Sequence, residues 1–239
     1  MSITIPDTTV LFDYGEVISS RPSESDRAEL VLRSGAEAGP FWAAYWHHRD
    51  AYDQGTVRAG EYWRLIGGDV GRDWDEATQH QLWLLDFRSW LVVDPGTLGV
   101  LVDLRRGGTR MALLSNAGPE FASWYRDGML GDFFDVVVAS SDVGVLKPHP
   151  ASYHAALTAL DASPSQLLFV DDRPANVRGA EAVGITAHRF VGAADLRAWL
   201  EEVAAAGGSE AARAEARRGR RARRTGGRPS PSIARDPDL

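Results

Sequence analysis

Three scarcities narrow the possibilities: the chain of 239 residues has no cysteine, a single lysine and no long apolar run. The absence of cysteine excludes disulfides, thiolate nucleophiles and zinc sites built on cysteine. No stretch approaches the length of a transmembrane helix, so we expect no membrane span. The first ten residues lack the basic region and apolar stretch with which a secretory signal begins. Together these features predict a cytoplasmic protein.

The basic residues are distributed unevenly along the chain. The net charge is −7, but residues 205–239 contain nine arginines against four acidic residues, so an acidic body precedes a basic tail. The tail has almost no large apolar side chains and cannot bury enough surface to become ordered. We therefore predict a disordered tail. Its arginines would suit an acidic partner, although a solvated extension is the simpler interpretation, and we expect no specific binding of nucleic acid.

Five short runs rich in apolar and β-branched residues predict strands. They cover residues 9–12, 110–114, 133–139, 167–170 and 185–190. A helical pattern follows each of the last four runs, and this alternation predicts an α/β fold with a parallel sheet flanked by helices. In such a sheet, functional groups gather at the carboxyl ends of the strands.

The residues between the first two predicted strands differ from the rest of the chain in sequence pattern and composition. They look helical throughout and contain six of the eight tryptophans. An insertion of this length within one βα unit predicts a separate helical domain rather than a loop. Its aromatic residues fit the core of that domain better than a ligand cage. Four of its side chains are candidates for facing a site: Tyr45, Arg49, Tyr52 and Arg58.

Polar residues follow four of the predicted strands, at the edge where the carboxyl ends of parallel strands meet. They are Asp13 after the first strand, Ser115 and Asn116 after the second, Lys147 beyond the third, and Asp171 and Asp172 after the fourth. Three carboxylates close together need a cation to remain ionised, and Mg²⁺ favours carboxylate and phosphate oxygens. Hydroxyl, backbone N–H and ammonium groups suit a phosphoryl group, and an aspartate in line with phosphorus can act as a nucleophile.

Four segments, in this order and spacing, resemble the motifs of the haloacid dehalogenase superfamily of hydrolases: FDYGEV, LLSNAG, LKPHP and VDDRPANVRGA. The helical insert resembles the cap domain of that superfamily. The resemblance implies a Rossmann-like core with helices on both faces of the sheet, and phosphoryl transfer through an aspartyl-phosphate intermediate. It also implies a discontinuous core of residues 1–19 and 95–204 and a cap of residues 20–94.

The resemblance implies a catalytic role for two residues and a phosphate-binding role for three. Asp13 matches the nucleophile of the superfamily. Lys147 matches the lysine that neutralises charge on the transferring group and contacts the phosphate. Ser115 and Asn116 match the second motif, which binds the phosphate.

The resemblance also implies a magnesium site. Asp13, Asp171 and Asp172 match the carboxylate ligands of the metal, and Gly15 matches the residue whose backbone carbonyl completes the set. Asn176 is expected to orient the acidic pair through hydrogen bonds without touching the metal.

One position departs from the pattern of most phosphatases in the superfamily. They carry a second aspartate two residues after the nucleophile, which protonates the leaving oxygen and later activates water. In this chain that residue is Gly15, as in a branch that includes sugar-phosphate phosphatases. Glu16 is a nearby carboxylate that would replace the missing acid if its side chain turned inward.

The acidic pair of Asp171 and Asp172 distinguishes the phosphatases of the superfamily from the haloacid dehalogenases, because the dehalogenases need no metal and lack the pair. We therefore predict a Mg²⁺-dependent phosphatase that acts on a small phosphorylated metabolite, such as a sugar phosphate. One alternative is a phosphomutase or dehalogenase on the same scaffold. The other is a catalytically silent binding or regulatory protein that holds a partner with its basic tail.

Overall fold

A parallel sheet of five strands forms the centre of the fold, and the computed structural model describes it within residues 2–207. The strands are β1 (Thr9–Phe12), β2 (Arg110–Ser115), β3 (Val136–Ala139), β4 (Leu167–Asp171) and β5 (Thr186–Arg189). Their order across the sheet is β3-β2-β1-β4-β5, and every neighbouring pair is parallel. The five predicted strands and the parallel sheet are therefore confirmed, with β1 at the centre.

Five helices lie between the first two strands, and the other helices of residues 2–207 follow the second strand. The helices are α1 (Glu24–Ser34), α2 (Ala38–Asp53), α3 (Ala59–Asp69), α4 (Glu76–Ser89), α5 (Pro95–Arg106), α6 (Pro119–Asp127), α7 (Ser140–Val143), α8 (Pro150–Leu160), α9 (Pro174–Ala182) and α10 (residues 193–207). Helices α1–α5 all lie between β1 and β2, where the sequence predicts a helical insert. Within residues 2–207, no helix is both long enough and apolar enough to span a bilayer. Helix α10 includes the first three residues of the predicted tail, and residues 208–239 lie outside the described residues.

Alternate residues of the strands contribute to two separate hydrophobic cores. On one face, Phe12 and Leu113 pack in a cluster with residues of α5, α6 and α10. On the other face, Leu11, Leu114 and Phe169 pack with residues of α8 and α9. Successive side chains of a strand point to opposite faces, so a sheet covered on both sides needs continuous apolar runs. The prediction of helices on both faces is confirmed.

The third strand is shorter than the sequence predicts. Residues Gly131–Phe133 form a 3₁₀ turn, and the strand begins only at Val136. The ring of Phe133 lies 5.0 Å from the guanidinium carbon of Arg105 on α5. The apolar character of this segment therefore reflects packing against a helix rather than pairing in the sheet.

The chain passes between the sheet and the helical insert along two adjacent segments. Ser19 and Val93 form an isolated antiparallel bridge, and the N–H group of Asp94 donates to the carbonyl of Ile18 at 2.9 Å. The boundaries suggested by the sequence fall at this junction. The division of the chain into a core and a cap stays a prediction.

Aromatic side chains form the core of the helical insert, as the sequence suggests. Tyr45, Tyr62 and Trp63 are buried, and the rings of Tyr52 and Tyr62 stack with 4.8 Å between their centroids. Such pairs stabilise a core beyond the area that they bury. Trp46 differs from these residues, because 49% of its surface remains exposed.

A buried ion network lies among these rings. The Nε of Arg49 donates to Oδ1 of Asp53 at 2.8 Å, and its Nη1 lies 3.5 Å from Oδ2 of Asp86. The hydroxyl of Tyr45 donates to the other oxygen of Asp86 at 2.7 Å. Burial raises the pKa of Asp53 to about 6, although Arg49 acts in the opposite direction. One guanidinium therefore holds two carboxylates inside the insert.

Two adjacent glycines near the end of α3 give a matched test of packing in the insert. A Cβ atom at Gly67 would lie 2.9 Å from the carbonyl oxygen of Arg72 and 3.1 Å from the ring of Trp74, whereas Gly68 has nothing within 4 Å. We expect Gly68→Ala to raise the free energy of unfolding by up to about 1 kcal/mol, because alanine favours the helix. Gly67→Ala should lower it, because neighbouring atoms must shift. Urea denaturation measures both values, and equal effects would contradict this packing.

The pKa of Asp53 predicts a pH dependence of stability. A carboxyl group whose pKa is higher in the folded state stabilises the fold below its unfolded pKa, and this contribution is lost as the pH rises through the folded pKa. The folded pKa of Asp53 is about 6. As the pH rises from 4.5 to 7.5, we therefore expect the free energy of unfolding of Asp53→Asn to increase by about 2 kcal/mol relative to that of the unmutated protein. Urea denaturation at the two pH values measures this gain. The exposed Asp161→Asn serves as the control, and a constant difference for Asp53→Asn would refute the expectation.

Candidate active site

Three neighbouring strands end side by side at the centre of the sheet. Phe12 of β1 is in register with Leu113 of β2 and with Val170 of β4. The N–H group of Asp13 donates to the carbonyl of Val170 at 2.9 Å. The register therefore sets Asp13 beside Asp171, the last residue of β4. The predicted convergence of polar residues at this edge follows directly from the parallel pairing.

Lys147 inserts its ammonium group between these two carboxylates. Its Nζ lies 2.9 Å from Oδ1 of Asp13 and 2.8 Å from Oδ2 of Asp171, and it donates to the carbonyl of Leu114 at 2.8 Å. Burial alone would lower the pKa of Lys147, but the two carboxylates outweigh it and raise the pKa. An ammonium has three N–H donors, and all three are used. A phosphoryl group beside Lys147 would be attracted by the positive charge of the ammonium, but no N–H group of the ammonium would be free to donate a hydrogen bond to it.

Two asparagine side chains hold this arrangement in place. The amide of Asn116 donates to the carbonyl of Lys147 at 3.1 Å and accepts from its N–H group at 2.8 Å. The amide of Asn176 donates to both carboxylate oxygens of Asp171, at 3.0 Å each. Both polar atoms of the Asn116 side chain are thus hydrogen-bonded to the backbone of Lys147. The side-chain amide is therefore not free for the phosphate contact that the sequence predicts.

Ser115, Gly15 and Glu16 line the same cleft. Ser115 is buried at the end of β2. A Cβ atom at Gly15 would lie 3.8 Å from the ring of Trp90, so the helical insert covers the position where the motif usually has its second acid. Glu16 has a left-handed backbone with φ of 58°, and its carboxylate is 3.9 Å from the guanidinium of Arg21.

Asp13, Asp171 and Asp172 form an acidic group in which one oxygen of each lies within 4.8 Å of the others. Burial raises the pKa of Asp13, against the attraction of Lys147. Burial also raises the pKa of Asp172 to about 6, and the charges of Asp13 and Asp171 add to this shift. The group therefore carries more negative charge than one ammonium offsets. Clustered carboxylate oxygens with this excess charge fit a hard divalent cation such as Mg²⁺.

The helical insert supplies the opposite wall of the cleft. Trp46, Arg49, Asp50 and Asp53 line it from α2, and Trp90 lines it from the end of α4. Sequence reasoning singled out only Arg49 among these residues. The four residues of α2 follow the three- and four-residue spacing of one helix face, and this spacing is the signal that would have found the others.

The other candidates from the insert lie away from the cleft lining. Tyr45 and Tyr52 are buried, and the hydroxyl of Tyr52 donates to Oε2 of Glu120 at 2.9 Å. Arg58 is the residue that precedes α3. Of the four candidates that the sequence suggested, the structure brings only Arg49 into the cleft.

Comparisons with known proteins agree with this geometry. The sequence model of haloacid dehalogenase-like hydrolases matches residues 37–184. The chain is 31% identical over 186 residues to a phosphoglycolate phosphatase of Pseudomonas putida, a match that covers 74% of this chain and 66% of that enzyme, just under two thirds of its length. It is 26% identical over 198 residues to a D-ribitol-5-phosphate phosphatase of Bacteroides thetaiotaomicron, covering 79% and 94%.

A solved structure shows the same fold. It is a haloacid dehalogenase family enzyme of Bacteroides thetaiotaomicron, crystallised with magnesium and inorganic phosphate in a variant with one aspartate replaced by alanine. The TM-score is 0.62 at 19% identity, over 76% of this chain and 93% of the other. Since the family match covers more than half of the sequence, the chain belongs to the haloacid dehalogenase-like hydrolases.

Proposed function

We propose that the chain is a Mg²⁺-dependent phosphatase that hydrolyses a small organic phosphomonoester, such as a sugar phosphate, through an aspartyl-phosphate on Asp13. The observation that carries the proposal is the buried ammonium of Lys147, which lies within 2.9 Å of both Asp13 and Asp171. Two relatives are phosphatases of phosphoglycolate and of D-ribitol 5-phosphate, and they support the same reaction class.

Asp13 is the group that we assign as the nucleophile. Lys147 and the N–H group of Tyr14, at 2.7 Å, hold its carboxylate, so its orientation is fixed before the substrate binds. Attack on phosphorus forms an O–P bond to Asp13 while the ester P–O bond breaks, and the leaving oxygen takes a proton for which Glu16 is the candidate donor. Water then attacks the phosphorus, which releases inorganic phosphate and restores the carboxylate.

The magnesium ion would be held by Asp13, Asp171 and Asp172, together with the backbone carbonyl of Gly15. When bound, it supplies positive charge that offsets the charge of the phosphate oxygens. The acidic group favours this function over that of a dehalogenase, because three clustered carboxylates are costly without a cation.

The phosphate is assigned to the hydroxyl of Ser115 and to the backbone of Asn116. Ser115 lies at the end of β2 in the cleft, and the amide of Asn116 fixes the backbone of Lys147. Lys147 then contributes charge, since its donors are engaged. Asn176 orients Asp171 through its two hydrogen bonds.

Hydrolysis of p-nitrophenyl phosphate tests the proposed function. We expect turnover with Mg²⁺, loss of turnover with EDTA, and a loss of at least about 10³-fold in Asp13→Asn, because the amide cannot form the covalent intermediate. The release of p-nitrophenol measures all three. Asp73→Asn, at an exposed position outside the cleft, is the control and should keep full activity. Absence of turnover in the unmutated protein with Mg²⁺ would refute the phosphatase function.

The role of Glu16 as a replacement for the missing acid has its own test. General acid catalysis contributes about 10²–10⁴-fold where the leaving group needs a proton. We therefore expect Glu16→Gln to slow hydrolysis of an alkyl phosphate by about 10²-fold or more, with little effect on p-nitrophenyl phosphate, whose leaving group needs little protonation. Glu24→Gln, exposed at the start of α1, is the control. Unchanged turnover of the alkyl phosphate would exclude Glu16 as the acid.

A further inference from the structure

A second cavity adjoins the cleft on the side of the helical insert. Glu16, Trp46 and Trp90 line both spaces. Beyond them, Leu30 of α1 and Trp42 of α2 form part of the wall of the second cavity. A molecule with its phosphate beside Asp13 and Ser115 would extend toward these residues if its organic part were long enough.

Several polar groups around the second cavity already have partners. The carboxylate of Asp86 accepts a hydrogen bond from Tyr45 at 2.7 Å. The guanidinium carbon of Arg27 lies 5.0 Å from the centroid of the Trp42 ring, and the carboxylate of Asp26 accepts from the N–H group of Ser23 at 3.2 Å. Arg21 also lines the cavity, so a ligand there would meet polar groups as well as the aromatic rings of Trp42, Trp46 and Trp90.

Trp46 lies at the junction of the two spaces with 49% of its surface exposed. Its ring forms a T-shaped pair with the ring of Tyr45, with 4.9 Å between centroids. An indole left this far in solvent, between two concave spaces, forgoes the stabilisation that its burial would bring. A flat ligand ring against Trp46 and Trp42 would recover that stabilisation.

Charged side chains of both signs lie around the junction. Glu16 lies on the shared wall, and Asp50 and Asp53 lie on the same face of α2 as Trp46. Arg49 is nearby, but Asp53 and Asp86 already neutralise it. Arg21 and Arg27 line the second cavity, so positive charge is also present there, and the assignment of the far end rests on the aromatic rings rather than on charge.

We propose that the second cavity is a subsite for the far end of the substrate, and that this end is an aromatic ring. The inference rests on the proposed function, because it assumes that the phosphate occupies the end of the cleft beside Asp13. The substrate class is thus a phosphomonoester of an alcohol that carries an aryl group a few bonds from the phosphate.

Binding of non-hydrolysable phosphonates tests the subsite without turnover. Calorimetry with Mg²⁺ compares 4-phenylbutylphosphonate with n-butylphosphonate, which differ only in the ring. We expect the phenyl compound to bind about 10-fold more tightly, because aromatic packing and apolar burial add to the shared phosphonate contact. Trp46→Ala should reduce this ratio to about 2-fold or less.

The chain offers a matched control for this variant. Trp124 on α6 is also a helical tryptophan, 44% exposed, and it lines neither space. Trp124→Ala should keep the full ratio. Equal affinities of the two phosphonates, or an unchanged ratio in Trp46→Ala, would overturn the subsite. Failure of the proposed function is seen separately, as absent turnover of p-nitrophenyl phosphate in the unmutated protein.

Discussion

The buried ammonium of Lys147 is the charge around which the carboxyl end of the sheet is built. Its side chain is 1% exposed, and its three N–H groups bond to Asp13, Asp171 and the carbonyl of Leu114. An ion taken out of water costs several kcal/mol unless it is fully paired. A slip of β1, β2 or β4 by one residue would therefore remove one of the three partners of this charge, which favours the observed register at the end where the chemistry takes place.

The same end of the sheet positions the helical insert. A Cβ atom at Gly118, just beyond β2, would lie 2.8 Å from Cζ of Tyr52, so the absence of a side chain there lets α2 approach. The hydroxyl of Tyr52 donates to Glu120, and the hydroxyl of Ser140 donates to the carbonyl of Asp53. The last turn of α2 thus contacts the segments that follow β2 and β3. A shift of α2 would disturb both walls of the cleft together.

Much of this arrangement could be predicted, because parallel strands bring their carboxyl ends to one edge and the residues there have complementary chemistry. Asp13 and Lys147 are predictable in this sense. The hydrogen bonds of Asn116 are not, because an amide suits a phosphate and a backbone equally and only the tertiary structure selects between them. Trp46 and Arg49 illustrate another limit. Helical spacing groups them on one face of α2, but the packing of the insert decides that this face meets the cleft.

The glycine at position 15 and the tryptophan above it can be explained together. Trp90 lies 3.8 Å from where a Cβ atom of Gly15 would be, and its Nε1 donates to the hydroxyl of Tyr45 at 3.3 Å. A carboxylate at position 15 would lie against this ring and lose water, which raises its pKa and disfavours its ionised form. Glu16 follows in a left-handed turn with 37% of its side chain exposed, so it keeps its hydration. The ring of Trp90 therefore lies within contact distance of position 15, whereas the carboxylate of Glu16 lies at the rim of the cleft.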